Sequence, residues 1–434
     1  MTSPAHDPGT RATEQSASAT ECQFWLNEWI SPGSPAGQIL ARIRVQGPVR
    51  AAALDEALYT VVRRHEALRT RFLLRGERLV RDVLPEPVAE PALRLAEGAG
   101  FREAASALLL HGCFDLAAGR VFRIGVAPDD EGATVYVAVH HIAFDGISQE
   151  IFAADLAQAY ARAVEGVTTP PPVRRRAEPA ALAPGRHTEL IAHWRALLAG
   201  AAPLPAHGTG PTQRELAEAE LVERRSTLTS RTWRAVGERA KGVACSPFSV
   251  LMAACAAALG ELSGGTDFCI GIPVATRTAG QSHEIGCLIN MVPVRMPDLS
   301  EDGVVERVAQ AVRSSIIGME LPGTDIIRSG KADSGHRMPV YQVLFAFEGW
   351  QRASHTAAGV TFQAVAVPPV GGLAEVCLQV CEASDGTLDC LAQAPVSSPW
   401  ADRLSDLLEA FETRLDRLVH HTIRPASSVQ KATA

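Results

Sequence analysis

Two adjacent histidines followed by an aspartate and a glycine, His140-His141-Ile142-Ala143-Phe144-Asp145-Gly146, hold the chain's most distinctive chemistry. A neutral imidazole, with an ordinary pKa of about 6.5, takes and returns a proton at working pH, which suits general acid–base chemistry. Neighbouring strand residues point to opposite faces, so one histidine can face a given cavity and the other packs behind it. Asp145 fixes the turn or pairs with a cation, and Gly146 permits close backbone approach or positive φ. Two neighbouring histidines alone are more often structural than catalytic. A metal site from His140, His141 and Asp145 lacks a further ligand nearby in sequence.

The flanking pattern says how this run is held. Thr134 to His140 is nearly all apolar, with β-branched and aromatic residues, which predicts a central strand covered on both faces. After the turn at Asp145-Gly146, Ser148 is placed to cap a helix with a buried stripe of Phe152, Leu156, Ala159, Tyr160 and Ala163. Upstream, Ile39 to Gln46 alternates with Ala41, Ile43 and Val45 on one face, and Leu54, Leu58, Val61 and Val62 repeat at helical spacing. Thr168 to Pro184 carries five prolines and the run Arg174-Arg175-Arg176. It reads as a solvated linker between lobes, with docking to an acidic carrier as the alternative for its arginines. Beyond it come a helix around Trp194 and a cap at Ser246-Pro247 leading into the apolar helix Phe248 to Leu259. Strand-like runs follow at 267–274, 285–296, 339–348, 375–381 and 387–392. Between them lies the amphipathic helix of Val304, Val305, Val308, Val312 and Ile316. A last helix starts at Ser398-Pro399, buries Leu404, Leu407, Leu408, Phe411, Leu415 and Leu418, and ends at His420-His421. Strands alternating with helices predict an α/β fold in both halves.

With 434 residues, 47% of them hydrophobic, the chain is long enough for two lobes of about 200 residues each. No run of 18 or more apolar residues is present, so no membrane span is expected. The net charge of −7 argues against a nucleic-acid partner. Nine cysteines without CxxC pairs, most of them in apolar stretches such as those holding Cys255, Cys269 and Cys287, point to reduced thiols and a cytoplasmic location. Met1 to Thr20 has no apolar core of the signal-peptide kind and reads as a disordered leader.

Several segments then narrow the reading. The HHxxxDG run resembles the motif of the superfamily containing chloramphenicol acetyltransferase, wax-ester synthases and condensation domains. Arg64-His65-Glu66-Ala67-Leu68-Arg69-Thr70-Arg71-Phe72 is similar to the condensation-domain motif RHExLRTxF at every defined position. Thr20 to Leu26 with Pro32-Gly33-Ser34 resembles SxAQxRLWFL…PGS. Ile285 to Arg295 resembles VGxFVNTLPLR, and Pro339 to Phe345 resembles PxFQVLF. The order and spacing hold from about residue 20 to 421, and together they resemble a free-standing condensation enzyme of nonribosomal peptide synthesis.

The resemblance implies two chloramphenicol-acetyltransferase-like lobes arranged as a V around a central tunnel. Their divisions would be a disordered leader at 1–19, an N-terminal lobe at 20–170, a linker at 171–185 and a C-terminal lobe with floor loop and latch at 186–434. It implies an acyltransferase joining a carrier-tethered acyl or aminoacyl thioester to an amine or hydroxyl. The donor arrives on the phosphopantetheine arm of an acyl or peptidyl carrier protein, the acceptor is carrier-bound or a free small molecule, and the chain itself holds no cofactor or metal. The catalytic group it implies is His141, His140 and Gly146, with His141 central and His140 its structural neighbour. Asp145, Arg277 and Asn290 are implied as structural residues of the site, Arg277 being the expected partner of Asp145 from the second lobe. Ser148, Ile147 and Gln342 are implied as substrate-binding positions; where peptide-forming members often carry Trp, this chain has Ile147. Two rival readings stay open: an acyltransferase using acyl-CoA or a soluble acceptor, and a catalytically silent carrier-docking module.

Overall fold

The computed structural model describes residues 14–88, 90–109, 114–177, 182–204, 210–300, 302–330, 337–350, 352–372 and 374–420. Two six-stranded mixed sheets organise them. The first runs, edge to edge, Ser354–Ala357, Val360–Val365, Gln38–Gln46, Gly132–His140, Phe122–Asp129 and Leu93–Arg94. The second runs Ile289–Arg295, Cys269–Ala275, Tyr341–Glu348, Val376–Glu382, Leu388–Pro395 and Leu221–Leu228. A small three-stranded sheet joins Gln15–Ser16 to Arg78–Val83 and Thr70–Arg75.

The strand Gly132–His140, here the motif strand, is covered on both faces as its composition predicts. Val135, Val137 and Val139 enter one apolar cluster with Ala41, Ile43 and Val45, while Tyr136 and Ala138 enter a second with Leu40 and Phe114. It pairs antiparallel with Gln38–Gln46, setting His140 opposite Gln38. The helix Gly146–Val164, here the motif helix, buries Phe152, Leu156, Ala159 and Tyr160 and packs on the helix Ala51–Arg64. The Tyr160 hydroxyl accepts the Arg50 amide at 2.9 Å, fixing the start of that neighbouring helix. The second lobe is built round Pro247–Ser263, capped by Ser246 and buried nearly all round. Among the described residues no single helix is long and apolar enough to cross a membrane.

Several expectations need correction. The cap of the motif helix is Asp145, whose carboxylate accepts from the Ser148 amide; the Ser148 hydroxyl is engaged elsewhere. Residues 1–13 of the expected leader lie outside the described residues, but Gln15–Ser16 is a strand paired with Arg78–Val83, and Ser18 caps the helix Ala19–Ile30 in a capping box. The 285–296 run is not one strand: only Ile289–Arg295 joins the sheet, and the preceding residues leave it to bind the motif turn. The last helix begins at Leu404, after a short 3-10 turn; the Ser398 hydroxyl donates to the Glu375 carbonyl and accepts the Trp400 amide. His421 lies outside the described residues.

The hairpin Ser354–Ala357 and Val360–Val365 was not anticipated, and it alters the division into lobes. It comes from the stretch assigned to the C-terminal lobe, yet it completes the first sheet beside Gln38–Gln46. Its turn, Ala358-Gly359, has positive φ at both residues, the conformation that matches the twist of a tight hairpin. The linker is not wholly solvated either. Arg176 is buried and its guanidinium pairs with Glu21 and Glu284, which ties the linker to both lobes.

Candidate active site

The motif strand ends at His140, and the chain makes one 3-10 turn over His141–Ala143 before Asp145 starts the motif helix. His140 is fully buried. Its Nδ1 accepts the Ile142 amide at 3.1 Å, which leaves the proton on Nε2, 3.4 Å from the Glu28 carboxylate. Phe114 meets the ring edge-on, and a side chain at Gly37 would press on it at 3.3 Å. His140 therefore shapes the turn and has no surface to offer a substrate, so it does not belong with the catalytic group.

His141 keeps part of its surface accessible. Phe24, from the helix Ala19–Ile30, stacks on the imidazole with centroids 4.5 Å apart and an interplanar angle of 15°. The Cys287 sulfur lies 3.8 Å from Nδ1. With one face and the Nδ1 edge covered, Nε2 is the nitrogen left for chemistry. Burial is the main cause that pushes the pKa down to about 4; its own carbonyl and the Asp145 charge pull the other way, and His140 adds to the lowering. At neutral pH the ring is uncharged and can accept a proton. Burial also pushes the Cys287 thiol well above its ordinary value, so it stays protonated beside the imidazole.

The turn is locked from the second lobe. The buried Asp145 carboxylate receives Arg277 Nη2 at 2.7 and 2.9 Å, the Ser148 amide at 2.8 Å, the Ser148 hydroxyl at 2.7 Å and the Leu288 amide at 3.0 Å. The Ser148 oxygen in turn accepts from the Gly286 amide at 3.1 Å and from Arg277 at 3.0 Å. Arg277 also donates to the carbonyls of Gln281 and Glu284. Gly286 and Leu288 are thus fastened to the motif turn on either side of Cys287, which sets the thiol against His141. Removing one member of a buried ion pair strands its partner, at about 3–5 kcal/mol.

The other expected residues fall into two groups. Asn290 is structural: its amide donates to the carbonyls of Met319 and Leu321, both at 2.8 Å. Gly146 is exposed at the start of the motif helix, with open space where a Cβ would sit, and Ile147 beside it is half-buried. Ser148 and Gln342 are not substrate-binding. Ser148 is fully buried and committed to the lock. Gln342 is fully buried, accepts the Leu204 amide at 2.7 Å and donates to the Met338 carbonyl at 2.7 Å, so both ends of its amide are consumed by backbone.

Three further residues contribute without a sequence signal that marks them, although two stand inside the family motifs. Phe24 sits in the Thr20–Leu26 run and Cys287 in the Ile285–Arg295 run, but a motif match does not say which side chains touch. Arg176 belongs to the basic run of the linker. Its side chain pairs with the buried Glu21, lies 3.6 Å from Glu284 and donates to the Cys287 carbonyl at 3.4 Å, so it braces the segment before the strand Ile289–Arg295, against His141. A buried arginine whose guanidinium meets two carboxylates and a backbone carbonyl is a site-bracing residue, and only the fold brings Glu21 and Glu284 to it.

Comparison with known proteins bears on the family and the fold. A family model described as "Condensation domain" matches residues 13–374. Phosphinothricin tripeptide synthetase PhsC of Streptomyces viridochromogenes is 29% identical over 76% of this chain, which spans 32% of that protein. AMB antimetabolite synthetase AmbB of Pseudomonas aeruginosa is 27% identical over 94% of this chain, which spans 33% of it. The chain thus spans about a third of these relatives' length. Among solved structures, the condensation domain of the monacolin K polyketide synthase MokA superposes with a TM-score of 0.79 at 19% identity, covering 94% of this chain and 98% of that one. The X-domain from teicoplanin biosynthesis gives 0.75 at 22% identity, covering 96% and 97%. Both share the arrangement of two mixed sheets with helices.

Proposed function

This chain belongs to the condensation-domain family, and on that premise we propose that it joins a carrier-tethered acyl or aminoacyl thioester to an amine, forming an amide. The observation that carries the reading is the uncharged His141, clamped by Phe24 and Cys287 on a turn that Asp145 and Arg277 lock. Donor and acceptor meet at its Nε2 edge, the donor on the phosphopantetheine arm of a carrier protein. The acceptor nitrogen attacks the thioester carbonyl, the C–N bond forms, the C–S bond breaks, and the proton lost from nitrogen leaves with the thiolate as a thiol.

The depressed pKa bears on how His141 takes part. An α-ammonium group has a pKa of about 8, so handing its proton to an imidazole of pKa about 4 costs about 5 kcal/mol. His141 is therefore a poor base for an ammonium ion before attack. It is well placed to orient the neutral amine and to take the proton once attack has made the nitrogen strongly acidic. A hydroxyl acceptor needs a stronger base at the moment of attack, and for this reason we favour the amine. The first-turn amides at Gly146 and Ile147, with the helix N-terminus behind them, supply a positive field where an oxyanion develops.

The test is a panel of carrier-loaded acyl thioesters incubated with amines and with alcohols, read by intact-mass analysis. Amide products across the amine panel with none from matched alcohols support the proposal. Esters formed at equal rates overturn the preference for amines. Tight carrier binding without turnover on any pair favours a docking module instead.

A further inference from the structure

A second feature of the molecule lies on the far part of the motif helix. Asp155, Gln158, Ala159 and Arg162 of that helix, together with Thr60, Val61 and Arg64 of its neighbour and Thr169 to Pro172 of the linker, enclose a half-open cavity of about 420 Å³. At 1.5 Å rise per residue, Asp155 stands about 14 Å along the helix from Gly146, so the cavity is separate from the His141 site.

The charges around it do not balance. Arg64 Nη1 meets Asp155 Oδ1 at 3.0 Å, and His65 Nε2 meets Asp155 Oδ2 at 2.7 Å. Burial is the main cause that holds His65 below its ordinary value, so it contributes no charge at neutral pH. Burial likewise lowers the Arg64 guanidinium; Asp155 opposes that, while the positive charges of Arg174 and Arg162 add to it. Arg162 and Arg174 thus add their charges beside the Arg64–Asp155 pair, an excess of two positive charges. Arg63, on the helix of Arg64, is turned to Glu86 at 3.7 Å and does not alter the sum. Among the described residues the Nε atoms of Arg64 and Arg174 are buried without an acceptor, and the Arg64 side chain is only 10% exposed.

From this we propose that the cavity binds a phosphate monoester, its dianion meeting Arg64 and Arg162, which line the space, with the charge of Arg174 behind them. A phosphate monoester carries about −1.5 to −2 charge at pH 7, which matches the excess, and its oxygens suit the arginine fork. The space exceeds what phosphate alone requires. Val61, Ala159 and Pro170 to Pro172 form an apolar wall for an organic body of modest size. The occupant would fasten both helices to the linker a few residues before Arg176, the residue that braces Cys287.

The experiment is titration of the full chain with inorganic phosphate, phenyl phosphate and phenol, followed by calorimetry. Saturable binding of both phosphates, tighter for phenyl phosphate, with none for phenol, is the expected result. Arg162→Gln should weaken phenyl phosphate about tenfold. Gln158→Glu, an exposed change at the rim that leaves every arginine in place, should weaken it in the same sense, and His141→Ala should leave it unchanged. Stronger binding of inorganic phosphate than of phenyl phosphate would overturn the organic body. No saturable binding, wild-type affinity in both rim variants, or loss of binding in His141→Ala would overturn the site, and none of these depends on condensation activity.

Discussion

Replacing Arg277 by glutamine tests whether the motif turn is locked from the second lobe. Asp145 is almost wholly buried, and Arg277 is the only cation within bonding distance of it among the described residues. In Arg277→Gln the carboxylate keeps the amides of Ser148 and Leu288 and the Ser148 hydroxyl but loses its counter-charge. We expect a loss of about 3–5 kcal/mol in unfolding free energy, the cost of a stranded buried charge. Asp145→Asn in the same chain removes that charge and keeps an oxygen for the Ser148 amide, so the double variant should recover about 1–3 kcal/mol. Urea unfolding of the four proteins, followed by circular dichroism, gives the coupling energy directly. A loss below about 1 kcal/mol in Arg277→Gln, the scale of an exposed pair, with no recovery in the double variant, would refute the lock.

Three further expectations follow from the same geometry. His141 has a native pKa of about 4 against about 6.5 unfolded, so the unfolded chain binds more protons between those values and stability falls as pH drops through that window. The contribution lost between about pH 7 and about pH 5 is about 2 kcal/mol, and His141→Ala should flatten the urea-midpoint profile by that amount; an unchanged profile would contradict it. Arg176→Gln leaves the buried Glu21 with Arg81 at 3.8 Å as its remaining ion-pair partner, and we expect about 3 kcal/mol of destabilisation by urea unfolding together with a lower kcat. Gln342→Ala should cost about 1–3 kcal/mol through its two backbone partners while KM for either substrate stays at the wild-type value, since the side chain reaches no substrate.

The elements that carry His141 were legible because their signals are local. A run of β-branched and aromatic residues announces a doubly covered strand, and the stripe Phe152, Leu156, Tyr160 announces the helix behind it. The partner of Asp145 was legible only through the family motif order, since Arg277 lies 132 positions away. What escaped was which segments meet. The alternation of Val360, Phe362 and Ala364 marks a strand, but a period of two says nothing about which sheet the strand completes. Arg176 looked like solvated charge because Glu21 and Glu284 are remote in sequence and only folding buries the three together. For Gln342 the family motif implies a substrate position, whereas the side chain repairs two backbone groups that the fold leaves unpaired.

The most direct measurement is the single-turnover rate of amide formation from a carrier-loaded acyl thioester, wild type against His141→Ala, each first checked for native stability at neutral pH. If His141 Nε2 handles the acceptor proton, the variant should lose about 10²–10⁴-fold in rate. A well-folded His141→Ala protein that forms product at the wild-type rate would contradict the central role given to this residue and leave the chemistry to orientation alone.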